Sequence, residues 1–411
     1  MMRSVQRELT SRLGDVCCYA VLPREQALLA YSVGIVPVTF GNDRIAKLLG
    51  TGLAGKATVY NRLLKTCDMR RFFKSFFRYE DVWNFVYPRE ADNSMGGFDA
   101  VVDVHGFAFG DEWDARAPRM AREWTKFCHD MGKRFIFMPQ AWGSFQKKGF
   151  AEPISAMLRE SSLYYARDKV SQSHLAKILD KPVDEVPVAP DIVLRFQGAF
   201  SPVGAYLLRT VGVDASRRPI IGISPNMKVF ERTKGKGTGN AYVMTLAHIC
   251  DYCVDRFAAK VVLLPNELSP PSENRRDDRY LCALIHSSVK NPSSCAVLRG
   301  YHSAEEIKSV ISNCDILIGS RFHALVFALS EGVPVLALSW SHKYRELLCQ
   351  FGLEEFVFDH DEMDESEILE LLNRLWEERE GRAKTIGLAL PELWRRVDIL
   401  FDQAAKVIQG F

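Results

Sequence analysis

The chain has 411 residues, of which 47% are hydrophobic and 25% are charged, a ratio ordinary for a folded globular protein. This composition excludes disordered, collagen-like and coiled-coil chains. The 53 basic residues nearly balance the 51 acidic ones, leaving a net charge of +2. This balance argues against a dedicated nucleic-acid-binding protein, since such proteins carry a basic surplus. At about 150 residues per domain, the length predicts two domains or slightly more.

The ten cysteine residues follow no spacing typical of a disulfide framework. Cys250 and Cys253 form one CxxC motif, but no second pair completes a zinc site, so helix packing is the favoured interpretation. The N-terminus lacks the apolar core of a signal peptide. The apolar stretch 27–40 is too interrupted for a membrane span, which needs about 20 apolar residues. We therefore expect a soluble, cytoplasmic protein with no metal site.

A basic aromatic segment at 69–79 has the sequence MRRFFKSFFRY. As an amphipathic helix it could touch a membrane surface, which makes peripheral membrane contact one interpretation. Packing of its four phenylalanine side chains into the domain is the favoured one, because an apolar helix face usually covers a core.

Short apolar, β-branched runs alternate with amphipathic helical stretches along the chain. In the first half, the predicted strands are 15–22, 99–105, 134–139, 163–167 and 186–189. In the second half, they are 220–225, 260–265, 295–299, 315–319, 333–339 and 356–359. The predicted helices are 116–131, 169–179, 241–258, 275–289, 303–313, 321–331 and 343–351. Because the strands are apolar throughout, they predict an α/β protein with parallel sheets flanked by helices on both faces.

The alternation restarts after a segment with several glycine and proline residues, 195–219, where we place the domain boundary. The pattern predicts two Rossmann-like domains facing a cleft, one at 1–200 and one at 201–380. Residues 381–411 are predicted to form terminal helices that cross back to the first domain. Ligands of such sheets bind at the carboxyl ends of the strands, where helices begin.

The segment 315–340, DILIGSRFHALVFALSEGVPVLALSW, is the most informative one. A buried strand ends at Gly319, and a helix begins with Arg321, Phe322 and His323. An arginine there opposes the helix dipole by about 0.3–1 kcal/mol, and a bound anion would offset that cost. His323 could reach the same anion and exchange a proton with it near neutral pH. For an isolated Arg-x-His, an arginine paired with a core carboxylate would be the favoured interpretation.

This context resembles the polysaccharide pyruvyl transferase family. The segment CDILIGSRFHALVFALSEGVPVLALSWSHK is similar to the family signature, in which a strand enters Arg-Leu-His, with Phe322 here in place of leucine. The preceding stretch YHSAEEIKSVISNCD (301–315) resembles the helix that the family places before the signature. Three further blocks resemble, in family order, its glycine-rich strand end, its Arg-Asp/Glu-x-x-Ser block and its Pro-Asp block: 98–111, 163–178 and 186–194.

The resemblance implies a GT-B-like fold and transfer of the pyruvyl group of phosphoenolpyruvate to two hydroxyls of one sugar, giving a cyclic ketal. The acceptor would be a glycan or lipid-linked saccharide of a cell-surface polysaccharide or exopolysaccharide, bound by the N-terminal domain. Phosphoenolpyruvate would be the donor substrate, bound by the C-terminal domain, and no cofactor is implied. The positions that the resemblance implies are Arg167, His302, Arg321 and His323. We expect His323, His302 and Arg321 to be catalytic, and we expect substrate to be bound by Arg167, Arg321, Phe322, Lys343, His105 and Asp191.

These residue types suit that chemistry. Phosphoenolpyruvate carries a carboxylate and a phosphate, and the planar arginine fork of Arg321 or Arg167 matches either group. His323 and His302 would deliver a proton to the methylene carbon and take one from the sugar hydroxyl, in either assignment. Lys343 follows a strand and could add a cation, although a solvent-exposed lysine is an equal alternative.

Two further polar segments stay ambiguous. Asp103, His105 and Asp111 crowd one strand end, where an internal hydrogen-bond network is slightly favoured over acceptor binding. The segment RTKGKGTGN (232–240) lacks the spacing of a phosphate-binding P-loop and is predicted to be a mobile loop over the cleft.

The chain departs from the family pattern at its N-terminus. It opens on a helical stretch where the family has a strand and a Gly-Asn-type loop, so we expect the usual first βα unit to be lacking. His105 also stands where a glycine is expected. Two alternative functions remain open: a GT-B nucleotide-sugar glycosyltransferase, and a catalytically inactive paralogue that binds glycans. The first usually needs a late carboxylate, for which Glu331 and Glu346 are poorly placed.

Overall fold

The computed structural model describes residues 2–14, 16, 19–21, 36–38, 99–111, 116–217, 219–268, 277–341, 343–359 and 364–410. Its contacts divide the chain into two compact units. The first contains Met1–Ile192 together with Asp398–Phe411, and the second contains Val193–Val397. The division thus falls at residue 192, where 200 was the expected domain end. The basic aromatic segment 69–79 lies outside the described residues.

The first unit begins with a helix, α1 (Met2–Leu13), followed by a parallel strand pair, β1 (Tyr19–Val21) and β2 (Val36–Val38). A three-stranded parallel sheet follows, in the order β3 (Ala100–Asp103), β4 (Arg134–Gln140) and β5 (Leu163–Ala166). The helices around it are α2 (Arg116–Asp130), α3 (Ala151–Glu160) and α4 (Lys169–Leu179). The segment 186–189 forms only an isolated bridge, between Ala166 and Val188, where a strand was expected.

Aromatic side chains form the core of this unit. Trp142 is fully buried, stacks on Phe109 at a centroid distance of 5.0 Å and donates a hydrogen bond from Nε1 to the carbonyl of Tyr165. Strand β4 is buried from Phe135 onwards because its sequence RFIFMPQ is almost wholly apolar. Full burial of each large apolar side chain contributes about 1.5–3 kcal/mol. This core holds the carboxyl ends of β3 and β5 in place. The polar residues Asp103 and Arg167 lie at these two strand ends.

The second unit contains a six-stranded parallel sheet. Its strands are β6 (Ile220–Ser224), β7 (Lys260–Leu263), β8 (Cys295–Val297), β9 (Ile316–Gly319), β10 (Val335–Ser339) and β11 (Val357–Asp359). Its helices are α5 (Ser201–Thr210), α6 (Met227–Arg232), α7 (Ala241–Phe257), α8 (Asp278–Ser288), α9 (Ala304–Ile311), α10 (Phe322–Ser330), α11 (Lys343–Cys349) and α12 (Glu365–Gln409). The prediction of parallel, helix-flanked strands is confirmed.

The strand order places one crevice at the centre of this sheet. The strands follow the order β8-β7-β6-β9-β10-β11, so the winding direction reverses between β6 and β9. These two strands pair in parallel, with Ser224 opposite Gly319 at their carboxyl ends. Open α/β sheets bind ligands at such a reversal, beyond the carboxyl ends of the strands. The segments that follow Ser224 and Gly319 are therefore the first place to look for a site.

The predicted terminal helices are one continuous helix, α12, which passes through Pro391. Its last part belongs by its contacts to the first unit. There Asp402 accepts a hydrogen bond of 2.6 Å from Nε of Arg12, and Gln403 is hydrogen-bonded to the hydroxyl of Tyr165. Within the described part of the chain, no helix is both long and apolar enough to cross a membrane.

Candidate active site at the strand ends

Ser320 connects the carboxyl ends of three strands in the second unit. Its carbonyl accepts hydrogen bonds from Nδ2 of Asn226 at 2.7 Å and from the hydroxyl of Tyr344 at 2.6 Å. Its own hydroxyl accepts one from the hydroxyl of Tyr242 at 2.8 Å. All four side chains are buried, and burial raises the pKa of both tyrosines. This network fixes the backbone just before Arg321.

Arg321 is the N-cap residue of α10 and is paired with carboxylates. Its Nε and Nη2 donate to Asp278 at 2.8 and 2.6 Å, and its Nη1 contacts Glu267. Asp278 is fully buried, whereas the side chain of Glu267 is 39% exposed. Burial alone would lower the pKa of Arg321, but the two carboxylates outweigh burial and raise it. Arg321 is therefore a fixed cation whose Nη1 partner faces solvent.

Lys343 begins α11 and is buried, at 7% exposure, so it is not the solvent-exposed lysine considered as the alternative. Its Nζ lies 4.3 Å from the ring centroid of Trp340, 5.4 Å from that of Phe322 and 5.6 Å from that of Tyr344. Each contact is within the range of a cation–π interaction. The predicted residues Phe322 and Lys343 are thus brought together at the end of β10.

Two further cations, which were not predicted, reach the same tryptophan. Nζ of Lys228 lies 5.1 Å from the Trp340 centroid, and Cζ of Arg232 lies 5.0 Å from it. Both residues belong to α6, which follows β6 at the reversal of the sheet. Their sequence signal was a pair of basic residues just after a buried strand, but nothing local indicated that they meet Trp340, the residue that follows β10.

The two predicted catalytic histidines lie in different places. His323 is in the first turn of α10, with its ring 5.8 Å from that of Phe322. His302 follows the edge strand β8, and its Nε2 lies 2.6 Å from the carbonyl of Arg299. Strands β6 and β7 separate β8 from β9, and three strand spacings amount to about 14 Å. His323 is two residues after Arg321 in the sequence, whereas the strand order separates His302 from the start of α10.

In the first unit, two predicted binding residues contact each other. Nη1 of Arg167 lies 3.0 Å from Oδ2 of Asp191, and both side chains are almost fully buried. Arg167 directly follows β5, as expected for a residue at a strand end. The pair is a buried ion pair at the carboxyl edge of this sheet.

His105 belongs to a hydrogen-bond network at the end of β3. Its Nδ1 lies 2.8 Å from Oδ2 of Asp103, whose Oδ1 accepts from Nε2 of Gln140 at 2.5 Å. The hydrogen bond to Asp103, followed by the attraction of its charge, raises the pKa of His105. Asp111 instead accepts from the hydroxyl of Ser144 at 2.6 Å. The structure therefore shows a hydrogen-bond network that joins Asp103, His105 and Gln140, while Asp111 bonds a separate segment.

The loop predicted to be mobile, 232–240, is fastened by one side chain. Nδ2 of Asn240 donates to the carbonyls of Phe230, Thr233 and Gly235, while its Oδ1 caps α7. Gly235 has φ of +96°, and a Cβ there would lie 2.2 Å from the carbonyl oxygen of Gly239. Only glycine fits this turn.

Among the described residues, no group of three or more His, Cys, Asp or Glu side chains could hold a metal ion.

Known proteins resemble the chain in family and in fold. A family model described as polysaccharide pyruvyl transferase matches residues 57–342. The amylovoran biosynthesis protein AmsJ of Erwinia amylovora is 20% identical over 307 residues, covering 74% of this chain and 72% of that protein. UDP-GlcNAc 2-epimerase from Neisseria meningitidis, bound to UDP-GlcNAc, has a TM-score of 0.53 at 13% identity, covering 96% of this chain and 95% of that chain. Anabaena HepE in complex with UDP and glucose has a TM-score of 0.57 at 11% identity, covering 100% and 96%. These two structures support the Rossmann-like, GT-B-like α/β fold.

Proposed function

The chain belongs to the polysaccharide pyruvyl transferase family, and from this premise we propose that it moves the pyruvyl group of phosphoenolpyruvate onto a sugar of an exopolysaccharide precursor. The main support is that Arg321 and His323 follow the carboxyl end of β9, while Lys343 follows that of the neighbouring strand β10. A fixed arginine and a buried lysine suit a small polyanion, and a histidine suits proton transfer.

In the proposed reaction, one sugar hydroxyl adds to C2 of phosphoenolpyruvate while C3 gains a proton and becomes a methyl group. A second hydroxyl of the same sugar then bonds to C2, the bond from C2 to the phosphate oxygen breaks, and inorganic phosphate leaves with its electron pair. The proton of one hydroxyl balances the proton gained at C3, and the proton of the other leaves with the phosphate or the base. The carbon ends at the oxidation level of pyruvate, so no oxidant or reductant is needed.

We assign roles by position in the second unit. His323 exchanges the proton at C3, because it is the second residue of α10 and follows the fixed cation Arg321 by two positions. Arg321 binds the donor carboxylate at Nη1 in exchange for Glu267, whose side chain is 39% exposed. Lys343 is the cation nearest the phosphate. His302 is proposed as a second proton-transfer group, although its present contacts are with Arg299 and Glu306.

The acceptor side of the proposal rests on the first unit and on the relatives. Arg167, Asp191 and His105 are proposed to contribute to substrate binding from the ends of β5 and β3. The name of AmsJ places that protein in amylovoran synthesis, which supports a glycan or lipid-linked saccharide as the acceptor. A cytoplasmic location, with contact to a membrane carrying such precursors, would fit this acceptor class.

The test is to incubate the full chain with phosphoenolpyruvate and a panel of lipid-linked and nitrophenyl glycosides, measuring phosphate release and ketal formation by mass spectrometry. His323→Ala should bind phosphoenolpyruvate in calorimetry yet lose about 10²- to 10⁴-fold in turnover, the usual contribution of an acid–base group. His248→Ala is the matched control, since His248 lies on α7 against Glu365 and is 44% exposed.

Three outcomes would count against the proposal. Absence of phosphoenolpyruvate binding would reject it, and phosphate release without ketal would reject the transfer step. Thermal stabilisation by UDP or GDP, with none by phosphoenolpyruvate, would favour the nucleotide-sugar glycosyltransferase instead.

A further inference from the structure

Three cations surround the indole ring of Trp340. The charged groups of Lys343, Lys228 and Arg232 lie 4.3, 5.1 and 5.0 Å from its centroid. They come from two separate segments of the chain, α6 after β6 and α11 after β10, which meet only because of the strand order. We call these four residues the Trp340 cation cluster.

The cluster concentrates like charges. All three charged groups lie within about 10 Å of one another, the Debye length at 0.1 M salt, so they repel each other. The negative face of an indole ring relieves part of that repulsion. Arg232 makes no ion pair with any described residue, and its side chain is exposed. A multivalent anion bound among the three charged groups would be attracted to each of them.

Arg321 cannot supply all the donors that phosphoenolpyruvate needs. Its Nε and Nη2 are engaged by the fully buried Asp278, which leaves the Nη1 side, now contacting Glu267, as the exchangeable position. One exchangeable edge suits one carboxylate. The phosphate therefore needs a second set of cations, and Lys343 stands next to Phe322, the neighbour of Arg321.

We propose that the Trp340 cation cluster is the phosphate subsite of the donor, with Lys228 and Arg232 as binding residues beside Lys343. The cluster holds the phosphate of phosphoenolpyruvate before transfer and inorganic phosphate after it. This assignment rests on the proposed function and adds to it a division of the donor, with the carboxylate at Arg321 and the phosphate at Trp340. Trp340 is a positioning residue, because its ring holds the three cations in place.

The test measures binding of inorganic phosphate and of phosphoenolpyruvate to the full chain by titration calorimetry, without any acceptor. Lys228→Gln and Arg232→Gln should each weaken both ligands about 10- to 100-fold, the effect of losing one charge-assisted hydrogen bond. Lys260→Gln and Arg256→Gln are matched controls. Lys260 is the first residue of β7 and Arg256 lies just before that strand, near the end of α7, so both are at the opposite end of the sheet. The controls should stay within about twofold of the parent, since charges a sheet length away are screened.

The possible results of these titrations distinguish a failure of the phosphate subsite from a failure of the proposed function. If the parent chain binds phosphoenolpyruvate and both α6 variants bind it as the controls do, the subsite is wrong and the proposed function stands. If the variants lose inorganic phosphate but keep full affinity for phosphoenolpyruvate, the cluster is an anion site unrelated to the donor. If the parent chain binds neither ligand, the proposed function itself fails. Lys228→Arg keeps the charge and should restore most of the affinity, which a purely structural role of Lys228 would not explain.

Discussion

Arg321 is held so firmly by its carboxylate partners that replacing its side chain would not report on donor binding alone. Asp278 is fully buried and receives two hydrogen bonds from the guanidinium. Removing one partner of a buried ion pair costs about 3–5 kcal/mol, because the other charge is left unpaired. Arg321→Ala would therefore mix a folding defect with lost donor binding. Arg232 is exposed and makes no ion pair with any described residue, so a variant at this position reports on anion binding more cleanly.

His105 gives a prediction for pH dependence. Its hydrogen bond to Asp103 raises its pKa above the ordinary value of 6.5, so its charged form is favoured in the folded protein. The stability contributed by this pair is fully present below the unfolded pKa and is lost as the pH rises through the folded pKa. A histidine titration by NMR should show His105 titrating above 6.5, and Asp103→Asn should return it towards 6.5.

His286, which is half-buried on α8, gives a second histidine signal in the same spectra. A His105 pKa at or below the ordinary value in the parent chain would contradict the geometry at the end of β3. An unchanged value in Asp103→Asn would assign the shift to another neighbour.

At the scale of elements, the alternation of apolar runs and amphipathic stretches predicted most of the sheets. Each predicted strand of the second half is present within one or two residues, since parallel strands covered on both faces are apolar throughout. Helices α3, α5 and α6 were missed because they are short or lie where turn-forming residues suggested a boundary. The terminal helices expected at 381–411 are instead part of one continuous helix, α12, which begins at Glu365.

The candidate site was only partly predictable, for a related reason. The Arg-x-His pair at the start of α10 could be found because a strand end and a helix start adjoin in sequence. The pairing of Arg321 with Asp278, and the meeting of Lys228 with Trp340, depend on which strands are neighbours. Strand order is a long-range property that local periodicity does not contain.

Two helical glycines give opposite predictions for the same substitution. A Cβ at Gly204 in α5 would lie 1.9 Å from the carbonyl oxygen of Ser309 in α9, so Gly204→Ala should destabilise the protein by about 1–3 kcal/mol. At Gly381 in α12 a Cβ would meet no atom within 4 Å, so Gly381→Ala should stabilise it by up to about 1 kcal/mol. Urea unfolding of both variants against the parent checks the signs. Stabilisation by Gly204→Ala would mean that α5 and α9 are farther apart than described.

At the scale of the whole molecule, near-neutrality coexists with a local excess of positive charge. The net charge of +2 spreads over 411 residues, whereas the Trp340 cation cluster holds three cations around one ring. Such a cluster can hold a small anion, but it cannot follow the many phosphates of a duplex, which need an extended basic surface.

We therefore predict that the chain binds inorganic phosphate but does not bind nucleic acid. A 30-base-pair duplex should show no mobility shift even with protein at about 100 µM in 0.15 M salt, since that concentration reaches or exceeds the non-specific Kd values of about 10⁻⁴–10⁻⁶ M found for nucleic-acid-binding proteins. A heparin column run at the same salt is the second measurement, and the chain should not be retained. Retention that disappears in Lys228→Gln would show that the cluster extends over a wider surface than the three cations.

The division of the chain has a consequence for synthesis. The first unit needs residues from Asp398 onwards, since Asp402 and Gln403 bond to Arg12 and Tyr165. At about 5–20 residues per second on the ribosome, these late residues emerge roughly 20 seconds to more than a minute after the first helix. The whole of Val193–Val397 is made in the interval. The unit that is translated first is therefore completed last. Its incomplete apolar surface stays exposed while the second unit is synthesised.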